Sequence, residues 1–222
     1  RLSRVAAREQ RPDLLALIDE ARSRGCPVLF DDQSLTLGAG ATSCTFDLAK
    51  LPSVADVTWH DLRPVPTALV TGSNGKTTTV RLIAACAQAQ GWRAGYTCTD
   101  GVFVAGTMLE SGDYSGPAGA RRVLRDERVE AAVLETARGG ILRRGLAVSR
   151  ADVAVVTNVS ADHFGEYGIH DLEALADVKL TVGAVVPEDC LLVLKENEEM
   201  IRINAARIGH HYEFCHQLGC YA

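Results

Sequence analysis

A chain of 222 residues with 47% apolar and 23% charged side chains has ample material for a core in one or two domains. Its formal net charge of -5 gives no whole-chain attraction to nucleic acid or to an anionic membrane, so neither is an expected partner. No apolar run approaches the roughly 18 residues of a membrane span, no signal-peptide pattern opens the chain, and the seven cysteines are scattered without a C-x-x-C pair, which points to reduced thiols in a cytoplasmic setting.

Arg1, Arg4, Arg8 and Arg11 recur at helical intervals and read as a solvated helix face. From Pro12 to Arg24 the apolar residues Leu14, Leu15, Leu17, Ile18 and Ala21 form a helical stripe, closed by Gly25. Short extended pieces follow at Pro27 to Phe30, Ser34 to Leu37, Thr45 to Leu48 and Val54 to Trp59, as in a small α+β module. Arg63-Pro64-Val65-Pro66 reads as a linker, which sets a module of residues 1–66 apart from a domain of residues 67–222. From there strand and helix alternate: strand Thr67 to Thr71, helix Lys76 to Gln90, strand Ala94 to Thr99 and helix Gly119 to Arg125. Strands Ala131 to Thr136 and Val153 to Val159, helix Asp171 to Val186, strand Cys190 to Leu194 and helix Glu198 to Ile208 complete the pattern. Strands as continuously apolar as Val153-Ala154-Val155-Val156 are buried on both faces, so the fold class is α/β, a mostly parallel sheet flanked by helices.

Ligands of such sheets bind beyond the carboxyl ends of the strands, and there the chain reads Gly72-Ser73-Asn74-Gly75-Lys76-Thr77-Thr78. Two glycines let the backbone turn and aim its N–H groups at one point, the helix start adds its positive dipole end, and Lys76 neutralises phosphate. Thr77 offers a hydroxyl to the Mg²⁺ that accompanies a nucleoside triphosphate. A general phosphate loop carries a further glycine where this chain has Val70, so the loop is a short variant. Glu135 and Thr136 close one strand and Asn158 another, with Asp162-His163 just beyond. A carboxylate and an imidazole on that edge suit a divalent ion held beside phosphate. Lys179 shares a helical stripe with Leu172, Leu175 and Ala176, which would turn an ammonium toward the sheet; a second stripe through Val178, Val182 and Val185 would leave it nearer solvent, and periodicity allows both. Arg138, Arg143 and Arg144 sit in a glycine-flanked loop suited to clamping a carboxylate, and Asp100 and Asp113, with Tyr114, lie in a glycine-rich loop from Thr99 to Gly119 that would read an amine.

Taken in order and spacing, the phosphate loop, Glu135, Asn158, Asp162-His163 and Lys179 resemble the central ATPase domain of the Mur ligase family. The string from Leu134 to Leu146, Leu-Glu-Thr-Ala-Arg-Gly-Gly-Ile-Leu-Arg-Arg-Gly-Leu, resembles the cyanophycin synthetase branch. The resemblance covers Thr67 to Ile208 and implies ATP-dependent amide bond formation between a carboxylate and an amine, both small molecules or short peptides, through an acyl phosphate. It implies that Lys76 contacts the β and γ phosphates, that Thr77, Glu135 and His163 bind metal, that Asn158 lies close to the adenine, and that Lys179 joins the metal if carbamylated. A homo-oligomer is compatible with it. The family carries a further domain after the central one, and the cyanophycin branch an ATP-grasp region before it; this chain has room for neither, and Leu194 to Glu199 matches the family's usual turn poorly. A truncated or diverged homologue is therefore expected, with a nucleotide-binding remnant as the alternative to a ligase. Asn158-Val159-Ser160-Ala161 lacks the Asn-Lys-x-Asp pattern of a GTPase, and the His/Cys-bearing tail from His210 to Cys220 fits no zinc spacing and reads as a frayed end.

Overall fold

The structure, a computed structural model, describes residues 11–161, 165–195 and 212–215. Helix α1 (Pro12–Ser23) lies over a three-stranded antiparallel sheet of β1 (Val28–Phe30), β2 (Ser34–Leu37) and β3 (Cys44–Asp47). Leu17, Ile18 and Ala21 of α1 meet Leu35, Leu37, Val57 and Leu62 in a small core of their own. The expected fourth strand, Val54 to Trp59, is instead two single 3₁₀ turns, Val54–Asp56 and Trp59–Asp61. Ser53 Oγ donates to Asp56 and the Trp59 indole N–H donates to the Val54 carbonyl at 2.8 Å, so local bonds satisfy the segment while its apolar residues pack inward.

The expected linker is held at both ends. The Arg63 carbonyl accepts from the Ala39 N–H and the Thr42 hydroxyl, Val65 is buried, and the Pro66 carbonyl accepts from Ala132. The module is tied further to the larger sheet by the Ala41 N–H on the Val129 carbonyl and by Arg125, which donates to Asp31 and to the Thr36 hydroxyl.

The larger sheet has eight strands: β4 (Thr67–Thr71), β5 (Ala94–Cys98), β6 (Gly101–Val104), β7 (Thr107–Ser111), β8 (Ala131–Glu135), β9 (Val153–Val156), β10 (Leu191–Lys195) and β11 (Tyr212–Cys215). Their spatial order is β11-β10-β9-β4-β8-β5-β6-β7, parallel from β11 to β5 and antiparallel at β6 and β7. Helix α2 (Lys76–Ala89) covers one face through Val80 and Ala84 against Val70 and Val133. Helices α3 (Pro117–Leu124), α4 (Arg138–Arg144) and α5 (Leu172–Leu180) cover the other, where the main core gathers Leu69, Val123, Leu134, Val156 and Leu175. The chain leaves β4 toward β8 and β5 on one side and returns to β9 on the other, so the sheet's topological switch lies at the carboxyl end of β4.

Four further readings change. The glycine-rich loop Thr99 to Gly119 contains the β6–β7 hairpin, the basic loop after β8 is helix α4, and the helix expected from Asp171 to Val186 stops at Leu180, where Gly183 and its valine neighbours continue it only as a 3₁₀ turn. Residues Tyr212–Cys215, read as part of a frayed tail, form β11 beside β10. The expected helix Glu198 to Ile208, the arginines Arg1, Arg4 and Arg8, and the rest of the tail lie outside the described residues. Among the described residues no helix is long and apolar enough to cross a membrane.

Candidate nucleotide and metal site

The phosphate loop leaves β4 at the sheet's switch point and is pinned before it reaches α2. Gly72 has φ +144°, and a Cβ there would stand 1.9 Å from the Thr157 hydroxyl, so only glycine permits this approach. Gly75, at φ +81°, caps α2 in the left-handed region and turns the chain into Lys76. The residues after β9 hold the loop from its other side. The Asn158 side chain accepts from the Asn74 N–H at 2.9 Å and donates to the Asn74 carbonyl at 3.0 Å, while the Ser73 N–H donates to the Asn158 carbonyl. Ser73 Oγ donates to the Ser160 carbonyl and accepts from its N–H, and Thr157 donates to the Asn74 carbonyl. Asn158 therefore braces the loop backbone.

Glu135, the last residue of β8, stands beside Val70 in register and is 1% exposed. Its Oε2 accepts from the Thr77 hydroxyl at 2.8 Å, and its Oε1 has no partner among the described residues. Burial pushes the Glu135 pKa up; the Thr77 hydrogen bond and the Lys76 charge oppose the rise, and Asp113 adds to it. A buried carboxylate with a spare oxygen next to a hydroxyl and an ammonium is a donor set that fits a hard, oxygen-seeking divalent ion such as Mg²⁺. Lys76 Nζ donates to the Ser73 carbonyl at 3.0 Å, within the loop it would otherwise neutralise phosphate from.

A cleft of about 530 Å³ opens from this point, lined by Gly72, Lys76, Glu135, Arg138, Arg143, Arg144 and Lys179 as well as Thr99, Asp113 and Tyr114. The structure settles the Lys179 alternatives: it lies on the buried stripe with Leu175 and Ala176, 3% exposed. Arg143 Nε donates to the Gly139 carbonyl and its guanidinium lies 5.7 Å from the centre of the Tyr167 ring. Thr78 is exposed on the first turn of α2. Asp100 lies at the β5–β6 turn, paired with Arg81 at 2.6 Å, and is not among the residues lining the cleft. His163 lies outside the described residues.

The Mur ligase middle domain model matches residues 70–217. The chain belongs to that family. This Mur ligase middle domain is 46% identical over 144 residues to the cyanophycin synthetase of Crocosphaera subtropica, a match that takes in 65% of this chain and 16% of that protein's length. It is 38% identical over 117 residues to the UDP-N-acetylmuramoyl-L-alanyl-D-glutamate--2,6-diaminopimelate ligase of Pseudomonas syringae, covering 50% of this chain and 24% of the relative. A solved structure of a ligase of that same name superposes with a TM-score of 0.55 at 24% identity, over 67% of this chain and 31% of the other, which bears on the fold.

Three residues of this Mur ligase domain's site were not singled out beforehand. Thr99 follows the carboxyl end of β5 and so answers to the same strand-end rule that marked Glu135. Thr157 reaches a backbone carbonyl of the loop, and Ser160 meets the Ser73 hydroxyl through its own backbone; no residue-type pattern marks such contacts.

Proposed function

We propose that the chain is the MgATP-handling part of an amide-bond-forming ligase of the cyanophycin synthetase type. Its reaction passes the γ-phosphoryl of ATP to a substrate carboxylate, and an amine then attacks the acyl phosphate. The observation that carries this reading is the buried Glu135 carboxylate bonded to Thr77 one residue beyond Lys76, at the head of a cleft whose other wall bears three arginines. Phosphoryl transfer asks mainly for positioning and charge neutralisation, and no protein nucleophile is assigned.

In this reading Lys76 and the loop N–H groups hold the phosphates, while Thr77, Glu135 and His163 hold Mg²⁺. Bound there, the ion supplies charge neutralisation at the phosphates. Arg138, Arg143 and Arg144 orient the carboxylate-bearing substrate. A carbamate on Lys179 would turn a buried ammonium into an oxygen donor for the same ion, and its 3% exposure supports that assignment. The substrates are small molecules or short peptides, and the setting is cytoplasmic.

Calorimetric titration with a non-hydrolysable ATP analogue, with and without Mg²⁺, tests the first step. No binding to a folded sample refutes the proposal. ADP release measured against acidic peptides and free amino acids tests the second: substrate-dependent release supports the ligase, and binding without turnover in any pairing identifies a nucleotide-holding module.

A further inference from the structure

We infer that Thr99 is a positioning residue for the phosphate-loop threonine: its hydroxyl fixes the orientation of the Thr77 hydroxyl, leaving one lone pair of that oxygen for the magnesium ion. The inference rests on the proposed role of Thr77 as a magnesium ligand.

The argument is an accounting of one oxygen atom. A threonine hydroxyl has one proton and two lone pairs. The Thr77 proton is committed, because the Thr77 hydroxyl donates to Glu135 Oε2 at 2.8 Å. Thr99 Oγ lies 3.2 Å from the same Thr77 oxygen. With the Thr77 proton spent, that second contact requires Thr99 to be the donor, so it occupies one of the two Thr77 lone pairs. One remains. Without Thr99 the Thr77 hydroxyl is held by its bond to Glu135 alone and can tilt about that bond, so the ion must order it on binding.

The placement of Thr99 follows from the topology. It is the first residue beyond β5, which is parallel to β8, so its side chain meets the loop from the strand two positions away from β4 in the sheet. Thr99 also lines the cleft. Two residues earlier, on β5, Thr97 is fully buried with a hydroxyl that has no partner among the described residues, and it provides a natural control.

The test compares affinities for a non-hydrolysable ATP analogue in Mg²⁺ and in EDTA, by calorimetry on the full 222-residue chain. Thr99→Val is expected to weaken binding about tenfold in Mg²⁺ and to leave binding in EDTA within about twofold, the loss of roughly one hydrogen bond to a charged site. Thr99→Ser, which keeps the donor, should restore most of the Mg²⁺-dependent affinity, and Thr97→Val should leave the ratio of the two affinities unchanged. Equal losses in Mg²⁺ and EDTA, or a serine variant as weak as the valine variant, would overturn the inference. If Thr99→Val does not yield folded protein, Thr99→Ala takes its place against Thr99→Ser with the same readings. An unaltered chain that binds no nucleotide removes the parent reading and this one together, whereas an unaltered chain whose affinity responds to Mg²⁺ while Thr99→Val responds equally sinks this one alone.

Discussion

Lys76 and Glu135 do opposite things to the stability of the site they share. Lys76 is a half-exposed ammonium that the proposed function sets against phosphate, so Lys76→Ala should reduce affinity for the MgATP analogue by about a hundredfold, while Arg143→Ala, on the wall proposed to meet substrate, should change it by no more than about threefold. Comparable losses in a direct titration would contradict the assigned roles. Glu135 is strained in the absence of a cation. Its folded-state pKa is raised above the ordinary glutamate value, chiefly by burial, so the native chain holds the proton more tightly than the unfolded chain does. The stability that protonation contributes is fully present below the unfolded pKa and is lost as pH rises through the folded one. In EDTA, Glu135→Gln should therefore melt higher than the unaltered protein at pH 7.5, with the difference vanishing near pH 4. A substitution that lowers the melting temperature at pH 7.5 would show that the carboxylate is instead well satisfied by its surroundings. The same variant should lose the Mg²⁺-dependent part of nucleotide affinity, a trade of function for stability.

At the scale of elements, the phosphate loop is rigid because its neighbours make it so. Two hydrogen bonds from one Asn158 amide, two contacts through Ser73, and the closeness of Gly72 to Thr157 leave the loop backbone little freedom before α2 begins. Gly72→Ala would force a Cβ into the Thr157 hydroxyl in a conformation side chains rarely adopt, and should cost about 3 kcal/mol or more by urea denaturation, together with most nucleotide affinity. The central α/β rhythm was legible in the sequence because β4, β8 and β9 are continuous apolar runs and α2 follows an unmistakable glycine–lysine turn. The β6–β7 hairpin was not. Its two-residue turn is Ala105-Gly106, both at positive φ, and an alanine there hides the Asn-Gly or Asp-Gly signal such turns normally show. Pairing with β5, including the stacked rings of Tyr96 and Phe103, supplies what the turn lacks. Helix α4 was hidden by its glycine pair, Gly139-Gly140, which disfavours a helix in isolation and is tolerated because α4 is anchored by Ile141 in the main core. The candidate site was legible where it depends on residue type at a strand end, as for Glu135, and not where it depends on a side chain meeting backbone across 80 or more residues of chain, as between Ser73 and Ser160.

At the scale of the molecule, the N-terminal module is joined to the sheet by more than covalent continuity. Arg125, at the end of α3, reaches Asp31 at 2.5 Å and the Thr36 hydroxyl at 2.9 Å, and holds the Asp31 carboxyl well below the usual aspartate range. A depressed carboxylate pKa contributes stability above its unfolded value that is lost as pH falls toward the folded one. Asp31→Ala should thus lower stability at pH 7 by about 1 kcal/mol, the pair being partly exposed, and the deficit should shrink as the pH drops below about 3.9. Limited proteolysis should cut within residues 11–66 sooner in that variant. An unchanged digestion pattern and an unchanged denaturation midpoint would show that the backbone ties at Arg63, Val129 and Pro66 suffice by themselves.

Gly140 has a consequence for whatever enters the cleft. A side chain at this position would come within 3.2 Å of both the Gly116 Cα and the Pro117 ring, where the starts of α4 and α3 abut. Even one methyl group would require the two helix starts to give by a few tenths of an ångström, shifting arginine-bearing α4 relative to the start of α3 that lines the same cleft. The width of the cleft between these two helix starts is in that sense set by an omitted carbon atom, and any molecule that touches both is measured against it.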